Sequence, residues 1–426
     1  MRVLVIGGGG REMALVEHLV ARGHDVWSNG GSEAIERLAP ALPLDPKYAE
    51  IGWPEVAFSC EREEIDLAIV GPEAPLAAKI ADIFEEIEVP TKIFAPLAAA
   101  ARIETSKAYA KRVMQDAGVP TAEYNMFTSD AEARLYLGNP ALSYPRVLKE
   151  NGLRAGKGVT ICASAEEAFA VLDRIEVSPE NPLLVEEFLD GFEFSLIVMA
   201  HGRSYVALPV AQDHKPIGEG NRGANTGGMG AVSPVPRVTD ALYREAIERV
   251  IEPTLAQLDA EGNPFTGFLY AGLIATADGV KVIEFNARLG DPEAEVILPR
   301  IEGDIAETAL ALLAGELPSL PVSEDACLGI VLSSPGYPAQ VTASPEIPPA
   351  LFAAVQADPN LGFVHMGTRL ADPEKDLWQA HGGRVGIVTA RGATIAECRE
   401  RLLPVLEETL ADSPLYYRRD IGTFAQ

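Results

Sequence analysis

The chain has 426 residues, 47% hydrophobic and 23% charged, with a formal net charge of −27. That length exceeds one ordinary core and predicts two to four subdomains, while acidic residues spread along the whole chain repel nucleic acid and anionic membrane surfaces. No apolar run reaches the ~20 residues of a bilayer span, and Cys60, Cys162, Cys327 and Cys398 lie far apart with no Cys-x-x-Cys pair, which argues against a zinc site or disulfide framework and for a reducing cytoplasm.

The first hundred residues alternate strands and helices. Arg2–Ile6 predicts a short apolar strand running straight into glycines, without the h-region of a signal peptide. Residues 11–22 predict an amphipathic helix and residues 25–27 a second strand. Two more strands are predicted at 66–70 and 92–95. Strands alternating with helices of about ten residues or more predict a parallel sheet. Its binding sites would lie beyond the carboxyl ends of the strands, where residues 7–10 and Gly71-Pro72-Glu73 fall.

From residue 106 the texture changes. Residues 106–117 predict a helix ending at Gly118-Val119-Pro120. Strand-like runs follow at 146–149, 158–161 and 183–187, with a helix at 165–175, as in a small α+β lobe. Residues 218–230 are too glycine-rich for a regular element. A helix over 240–259 and strands at 268–275 and 281–285 come next, and residues 318–321 mark a junction before a third α/β unit. The predicted division is 1–104 as an N-terminal parallel α/β domain, 105–320 as a middle domain with a small lobe at about 121–191, and 321–426 as a C-terminal α/β domain.

Gly7-Gly8-Gly9-Gly10-Arg11-Glu12 fails the dinucleotide spacing G-x-G-x-x-G: a frame started at Gly7 meets Glu12, and one started at Gly8 meets Met13. Trp27-Ser28-Asn29 stands where a ribose-binding carboxylate would close the second strand, so the spacing argues against a nicotinamide oxidoreductase. A glycine turn opening a helix still presents N–H groups to an anion. The turn is either a substrate-phosphate site or simply tight.

Gly152-Leu153-Arg154-Ala155-Gly156-Lys157-Gly158 has three residues between its first two glycines and no Ser or Thr after the lysine, so it is not a Walker loop. It reads as a mobile glycine hairpin closing over phosphates, with Lys157 and the preceding Lys149 supplying charge. A surface hairpin with solvated lysines is the alternative. Residues 185–191, followed by Glu193, read as a strand entering a turn, where backbone groups and a carboxylate can meet an adenine edge and ribose hydroxyls.

The sharpest segment runs from Ile283 to Glu293. On a strand, Glu284 and Asn286 point to the same face. A carboxylate and an amide oxygen are hard ligands suited to Mg²⁺, which keeps waters and phosphate oxygens as its other partners. If the strand runs on, Arg288 continues that face. A solvated face is the alternative for an isolated Glu-x-Asn; Arg288, the Gly290-Asp291-Pro292-Glu293 that follows and the upstream lysines favour the metal. Gln212-Asp213-His214-Lys215 and Asn225-Thr226-Gly227-Gly228-Met229-Gly230 suit a small zwitterion, with Asp213 for its ammonium, or are ordinary surface loops. His214 reads as a spectator.

In this order and over nearly the whole chain, these segments resemble the ATP-grasp superfamily and, within it, the glycinamide ribonucleotide synthetases. Residues 71–76, Ser106-Lys107, Gly382-Gly383-Arg384 and residues 417–422 add to the match. The resemblance implies mixed α/β and α+β structure: an ATP-grasp fold over 105–320, an N-terminal parallel-sheet (pre-ATP-grasp) domain and a C-terminal α/β domain. It implies a cytoplasmic ligase of purine biosynthesis that uses ATP and Mg²⁺ or Mn²⁺. Glycine would be activated as glycyl phosphate and joined to phosphoribosylamine by a monomer or weak homodimer. Lys107, Lys149, Gly156, Lys157 and Gly158 would contact the phosphates, Glu186, Phe188 and Leu189 would frame the adenine, and Glu193 would take the ribose. Glu284 and Asn286 would hold the metal. Arg288, Asp291, Asp213 and Lys157 would lie at the acyl-transfer centre, and Gly9, Glu73, Asp213, Asn225, Thr226, Gly290 and Arg384 would contact substrates. The chain departs from the family pattern at Met13, over 28–33 and over 333–336. A paralogous ligase with another amine or amino acid, and a non-catalytic nucleotide-binding relative, are the alternatives.

Overall fold

The computed structural model describes residues 1–47, 49–153 and 158–423. Strands β1 (Arg2–Ile6), β2 (Asp25–Ser28), β3 (Leu67–Val70) and β4 (Lys92–Phe94) form a parallel sheet in the order β2-β1-β3-β4. Val3, Leu4, Val5 and Ile6 have no exposed surface, nor have Leu67, Ala68 and Ile69, because helices cover both faces of such a sheet. β1 and β3 are parallel neighbours, so the glycine turn after β1 and Gly71-Pro72 after β3 lie side by side. They touch through Glu12: a Cβ on Gly71 would lie 2.0 Å from its Oε1, a close approach that only glycine permits. Met13 is 5% exposed in the helix Gly10–Ala21 and serves as core packing.

Strands β5 (Tyr124–Phe127), β6 (Arg146–Glu150), β7 (Val159–Cys162) and β8 (Leu183–Glu187) form an antiparallel sheet, ordered β5-β8-β6-β7. The helices Asp130–Leu137 and Ala165–Leu172 complete this small lobe. Its core, built around Leu137, Leu148, Cys162, Leu172 and Val185, is separate from the two large clusters of the rest of the chain. A lobe with its own core is free to move as a unit against its neighbours.

Next come β9 (Phe192–His201) and β10 (Ser204–Ala207), then four short strands, β11 (Gln212–Asp213), β12 (Pro216–Gly218), β13 (Arg222–Asn225) and β14 (Gly230–Ser233). The expectation that residues 218–230 lack regular structure is corrected here. β12 and β13 pair as an antiparallel hairpin, turned through Gly220 at φ +71°, so glycine closes a hairpin where it was read as a breaker. The long strands β15 (Thr266–Thr276) and β16 (Gly279–Asn286) join β9 and β10 in the antiparallel order β10-β9-β15-β16. The edge strand of the first sheet touches this one, where Phe94 of β4 meets Phe268 of β15 edge-on with ring centroids 5.3 Å apart.

The last unit carries β17 (Ala326–Ser333), β18 (Leu361–His365), β19 (Thr368–Asp372), β20 (Leu377–Ala380) and β21 (Arg384–Gly392). It shares its sheet with the middle of the chain, in the order β11-β14-β17-β21-β18. That shared sheet brings Asp213, at the end of β11, toward Arg384, at the start of β21. Among the described residues no helix is long and apolar enough to cross a membrane.

Candidate active site

The small lobe and the β15–β16 sheet meet at Lys149. Its Nζ donates to the Ile283 carbonyl of β16 at 2.9 Å and lies 2.8 Å from Glu186 Oε2 on β8. Lys111, one turn after Lys107 on the helix Lys107–Ala117, lies 3.1 Å from the other Glu186 oxygen and donates to Thr121 Oγ1 at 2.8 Å. All three side chains are 3–7% exposed. Two buried ammonium groups therefore share one carboxylate, which leaves local positive charge for an anion to neutralise. Burial pulls Lys111 down to about 8, against the opposing pull of Glu186. The Glu186 side chain thus sits between Lys111 and Lys149, and its backbone lies inside the sheet opposite Tyr124 and Val147. Strand pairing stops at Glu187, so the edge open to an adenine begins at the half-exposed Phe188 and continues to Leu189.

Lys107 Nζ donates to the Gly152 carbonyl at 2.8 Å, which ties the entry of the glycine hairpin to this helix. At the far side of the hairpin, Gly158 accepts from the Glu150 N–H at 2.8 Å. Gly156 and Lys157 lie outside the described residues.

Glu284 and Asn286 share one face of β16, with the buried Phe285 pointing the other way. Burial raises the Glu284 carboxyl, but Lys215, Lys149, Arg288 and Lys107 together overcome it and hold the group below its ordinary range. Four cations from four separate stretches of chain therefore bear on one carboxylate through charge. Lys215 is nearest in charge terms, 3.7 Å from Glu284 Oε1 and 3.8 Å from Glu193 Oε2. Among the described residues no group of three or more His, Cys, Asp or Glu side chains is arranged to hold a metal ion. Glu284 and the Asn286 amide oxygen offer two hard donors on one face, which fits a Mg²⁺ or Mn²⁺ ion completed by phosphate oxygens and water.

The strand does not run on to Arg288, a correction to the expectation above. β16 ends at Asn286, because the next N–H, of Ala287, leaves the ladder and donates to Glu104 Oε2 at 2.8 Å. Arg288 turns toward the N-terminal domain, with Nε 3.1 Å from Glu104 Oε1 and 3.5 Å from Glu73 Oε2. Its Nη2 donates to Asn286 Oδ1 at 3.3 Å, so it still reaches the candidate metal face.

Beyond Arg288 the chain closes a second polar group. Arg384 Nη1 lies 2.8 Å from Asp291 Oδ1 and donates to the Gly227 carbonyl at 2.8 Å. Asp213 lies under the same loop: a Cβ on Gly228, at φ +114°, would fall 2.6 Å from its Oδ1 and 2.4 Å from Pro292. Burial and the neighbouring Glu293 push the Asp213 carboxyl well above its ordinary range, despite Lys215 and Arg384. Asn225 stands exposed at the end of β13. Two residues expected to contact substrate also have a role in the local fold. The Thr226 hydroxyl donates to the Lys215 carbonyl at 2.7 Å and accepts from the Gly228 N–H at 2.9 Å. Gly290 is enclosed, with Glu293 Oε2 2.4 Å from where a Cβ would stand. The divergent residues 333–336 still support Arg384, since Ser334 Oγ donates to the Gly382 carbonyl at 2.7 Å.

At the N-terminal turn, Gly9 donates to Glu12 Oε2 at 2.6 Å and Gly7 to Asn29 Oδ1 at 2.9 Å, so two of its N–H groups are committed within the chain. Glu73 Oε2 lies 3.7 Å from Arg11 Nη2 and so is bracketed by Arg11 and Arg288. Lys111, Lys215, Glu104 and Arg11 were not singled out from sequence. Lys111 had a findable signal, since its spacing from Lys107 puts both on one helix face. Glu104 had only a weak one: an acid in the last turn of a helix opposes the macrodipole.

Family models match almost the whole chain. They are described as the N domain of phosphoribosylglycinamide synthetase over residues 1–104, its ATP-grasp (A) domain over 105–294 and its C domain over 327–424. The chain is 39% identical to a phosphoribosylamine–glycine ligase of Halalkalibacterium halodurans, covering 100% of this chain and 97% of that one. It is 40% identical to the enzyme of the same name in Escherichia coli O6:H1, covering 99% and 98%. A crystal structure of phosphoribosylamine–glycine ligase from Thermotoga maritima superposes with a TM-score of 0.79 at 27% identity, covering 99% of this chain and 100% of that one.

Proposed function

The chain belongs to the phosphoribosylglycinamide synthetase family, and we propose that its cleft activates glycine on ATP and passes the acyl group to an amine bound against the N-terminal domain. It is an ATP-dependent carbon–nitrogen ligase of purine biosynthesis that joins glycine to phosphoribosylamine. The observation that carries the site assignment is Glu284 with Lys215 3.7 Å away and Asn286, which holds Arg288, on the same strand face, the charge of Lys149 and Lys107 adding to the pull on its carboxyl.

In this reading Lys107 and Lys149 hold the ATP phosphates, with Glu186 and Lys111 keeping Lys149 in place. The adenine lies along Phe188 and Leu189, and the ribose against Glu193. Glu284 and Asn286 hold Mg²⁺ or Mn²⁺, which when bound neutralises charge on the phosphate oxygens. Glycine lies under the loop 225–230, with its ammonium against Asp213; an arriving cation would restore the charge that burial disfavours there. One glycine carboxylate oxygen attacks the γ-phosphorus, the bond to the bridging oxygen breaks, and ADP leaves. The chain's own contribution is positioning and charge stabilisation by the lysines and Arg288, with no covalent intermediate on the protein. The amine nitrogen then attacks the acyl carbon, the carbon–oxygen bond to phosphate breaks, and the nitrogen sheds its proton to the departing phosphate. Phosphoribosylamine fits the side bounded by Gly9, Glu73, Arg11 and Arg384, across Arg288 from the nucleotide. Acyl phosphates hydrolyse in water, so the small lobe closes over the intermediate.

The test is ADP release with ATP and Mg²⁺. It is expected to require glycine and to yield a glycinamide product only when phosphoribosylamine is present. Turnover with another amino acid or amine in preference to these would favour a paralogous ligase. Nucleotide binding without turnover would favour a non-catalytic relative.

A further inference from the structure

Glu104 occupies the last turn of the helix Ala98–Thr105 and is 8% exposed. A carboxylate is unfavourable there twice over: the helix end already carries partial negative charge, and burial disfavours the charged form. The segment that follows β16 offsets part of both costs, although burial still holds the carboxyl above its ordinary range. Glu104 Oε2 accepts from the Ala287 N–H at 2.8 Å, while Oε1 lies 3.1 Å from Arg288 Nε. The Nε–H is not aimed at a carboxylate oxygen in hydrogen-bond geometry, so this second contact acts through charge. One side chain thus fixes the backbone turn and draws in the guanidinium that the turn carries. Glu73 lies on the same side of Arg288, 3.5 Å from Nε, as a competing anion.

We propose that Glu104 is the positioning residue for Arg288, holding its guanidinium between the nucleotide face of β16 and the acceptor side at Glu73. The inference rests on the role given to Arg288 above. Without the Glu104 charge, Arg288 shifts its pairing toward Glu73, which removes it from the phosphoryl group and blocks the acceptor's contact in one step. Glu104→Gln separates the two functions, because the amide oxygen still accepts the Ala287 N–H but carries no charge.

The experiment is a double-mutant cycle of E104Q and R288A, with kcat, the KM for phosphoribosylamine and MgADP affinity measured on each full-length protein. E104Q alone is expected to lower kcat about tenfold, the effect of losing roughly one close charge pairing to Arg288, and to raise the KM for phosphoribosylamine, with MgADP affinity unchanged. In the R288A background E104Q is expected to change nothing further. Equal losses from E104Q in both backgrounds would mean that Glu104 acts independently of Arg288, and wild-type kinetics for E104Q would mean that it does not act; either result overturns the proposal. An R288A enzyme at wild-type rate would instead remove the role of Arg288 itself, and this inference with it. Unchanged MgADP affinity in E104Q separates mispositioning from misfolding; should E104Q bind MgADP poorly, a general structural role replaces the one proposed.

Discussion

Replacing Glu284 with alanine is expected to lower glycine-dependent ADP release about 10²-fold or more, the range seen when a group that stabilises transferring charge is lost. Lys215, Lys149, Arg288 and Lys107 all bear on this carboxylate. Alanine leaves those cations facing one another and removes the one anionic donor from the candidate metal face of β16. ATP phosphates can still be drawn to the lysines, so nucleotide should bind while the rate collapses. Steady-state rates over a wide Mg²⁺ or Mn²⁺ range, together with nucleotide affinity, check this. Near-normal turnover at ordinary Mg²⁺ would remove Glu284 from the metal site. An equal loss of ATP affinity and rate would make it a general binding residue instead.

The second large effect is on stability. Glu186 is the shared partner of Lys111 and Lys149, and all three are buried. Glu186→Leu leaves two ammonium groups without their carboxylate and should destabilise the protein by about 3–5 kcal/mol, as when one member of a buried ion pair is removed. The triple change E186L/K111M/K149M should recover most of that loss, since apolar groups of similar volume often replace a buried charge cluster without penalty. It should not recover activity, because Lys149 has gone. Thermal unfolding midpoints and ADP release on the two variants check both halves. A triple variant as unstable as E186L would mean that the cluster contributes through packing more than through charge.

The parts of this molecule readable from sequence are those with a local period. β1 and β3 are continuous apolar runs, as strands of a covered parallel sheet must be. Glu284 and Asn286 share a face by the two-residue alternation of any strand. What was not readable depends on partners far apart in sequence. Nothing near Glu104 points to Ala287, 183 positions away, and nothing near Lys111 points to Glu186. The end of β16 at Asn286 goes with that same Glu104 contact, so whether the strand ran on to Arg288 was not readable either. In the β12–β13 hairpin the error was of a different kind. Glycine marks both breaks and tight turns, and its backbone freedom does not say which. The shared sheet β11-β14-β17-β21-β18 was invisible for the first reason: its pairing joins residue 232 to residue 328.

The central proposition is that groups scattered between residues 107 and 288 enclose a single triphosphate. A crystal structure with Mg²⁺ and a non-hydrolysable ATP analogue puts it to the most direct test. The phosphates should lie within hydrogen-bond reach of Lys107 and Lys149, with the cation on Glu284 and Asn286. A nucleotide seated elsewhere, or a cation held by other side chains while Glu284 stays paired with Lys215, would contradict it.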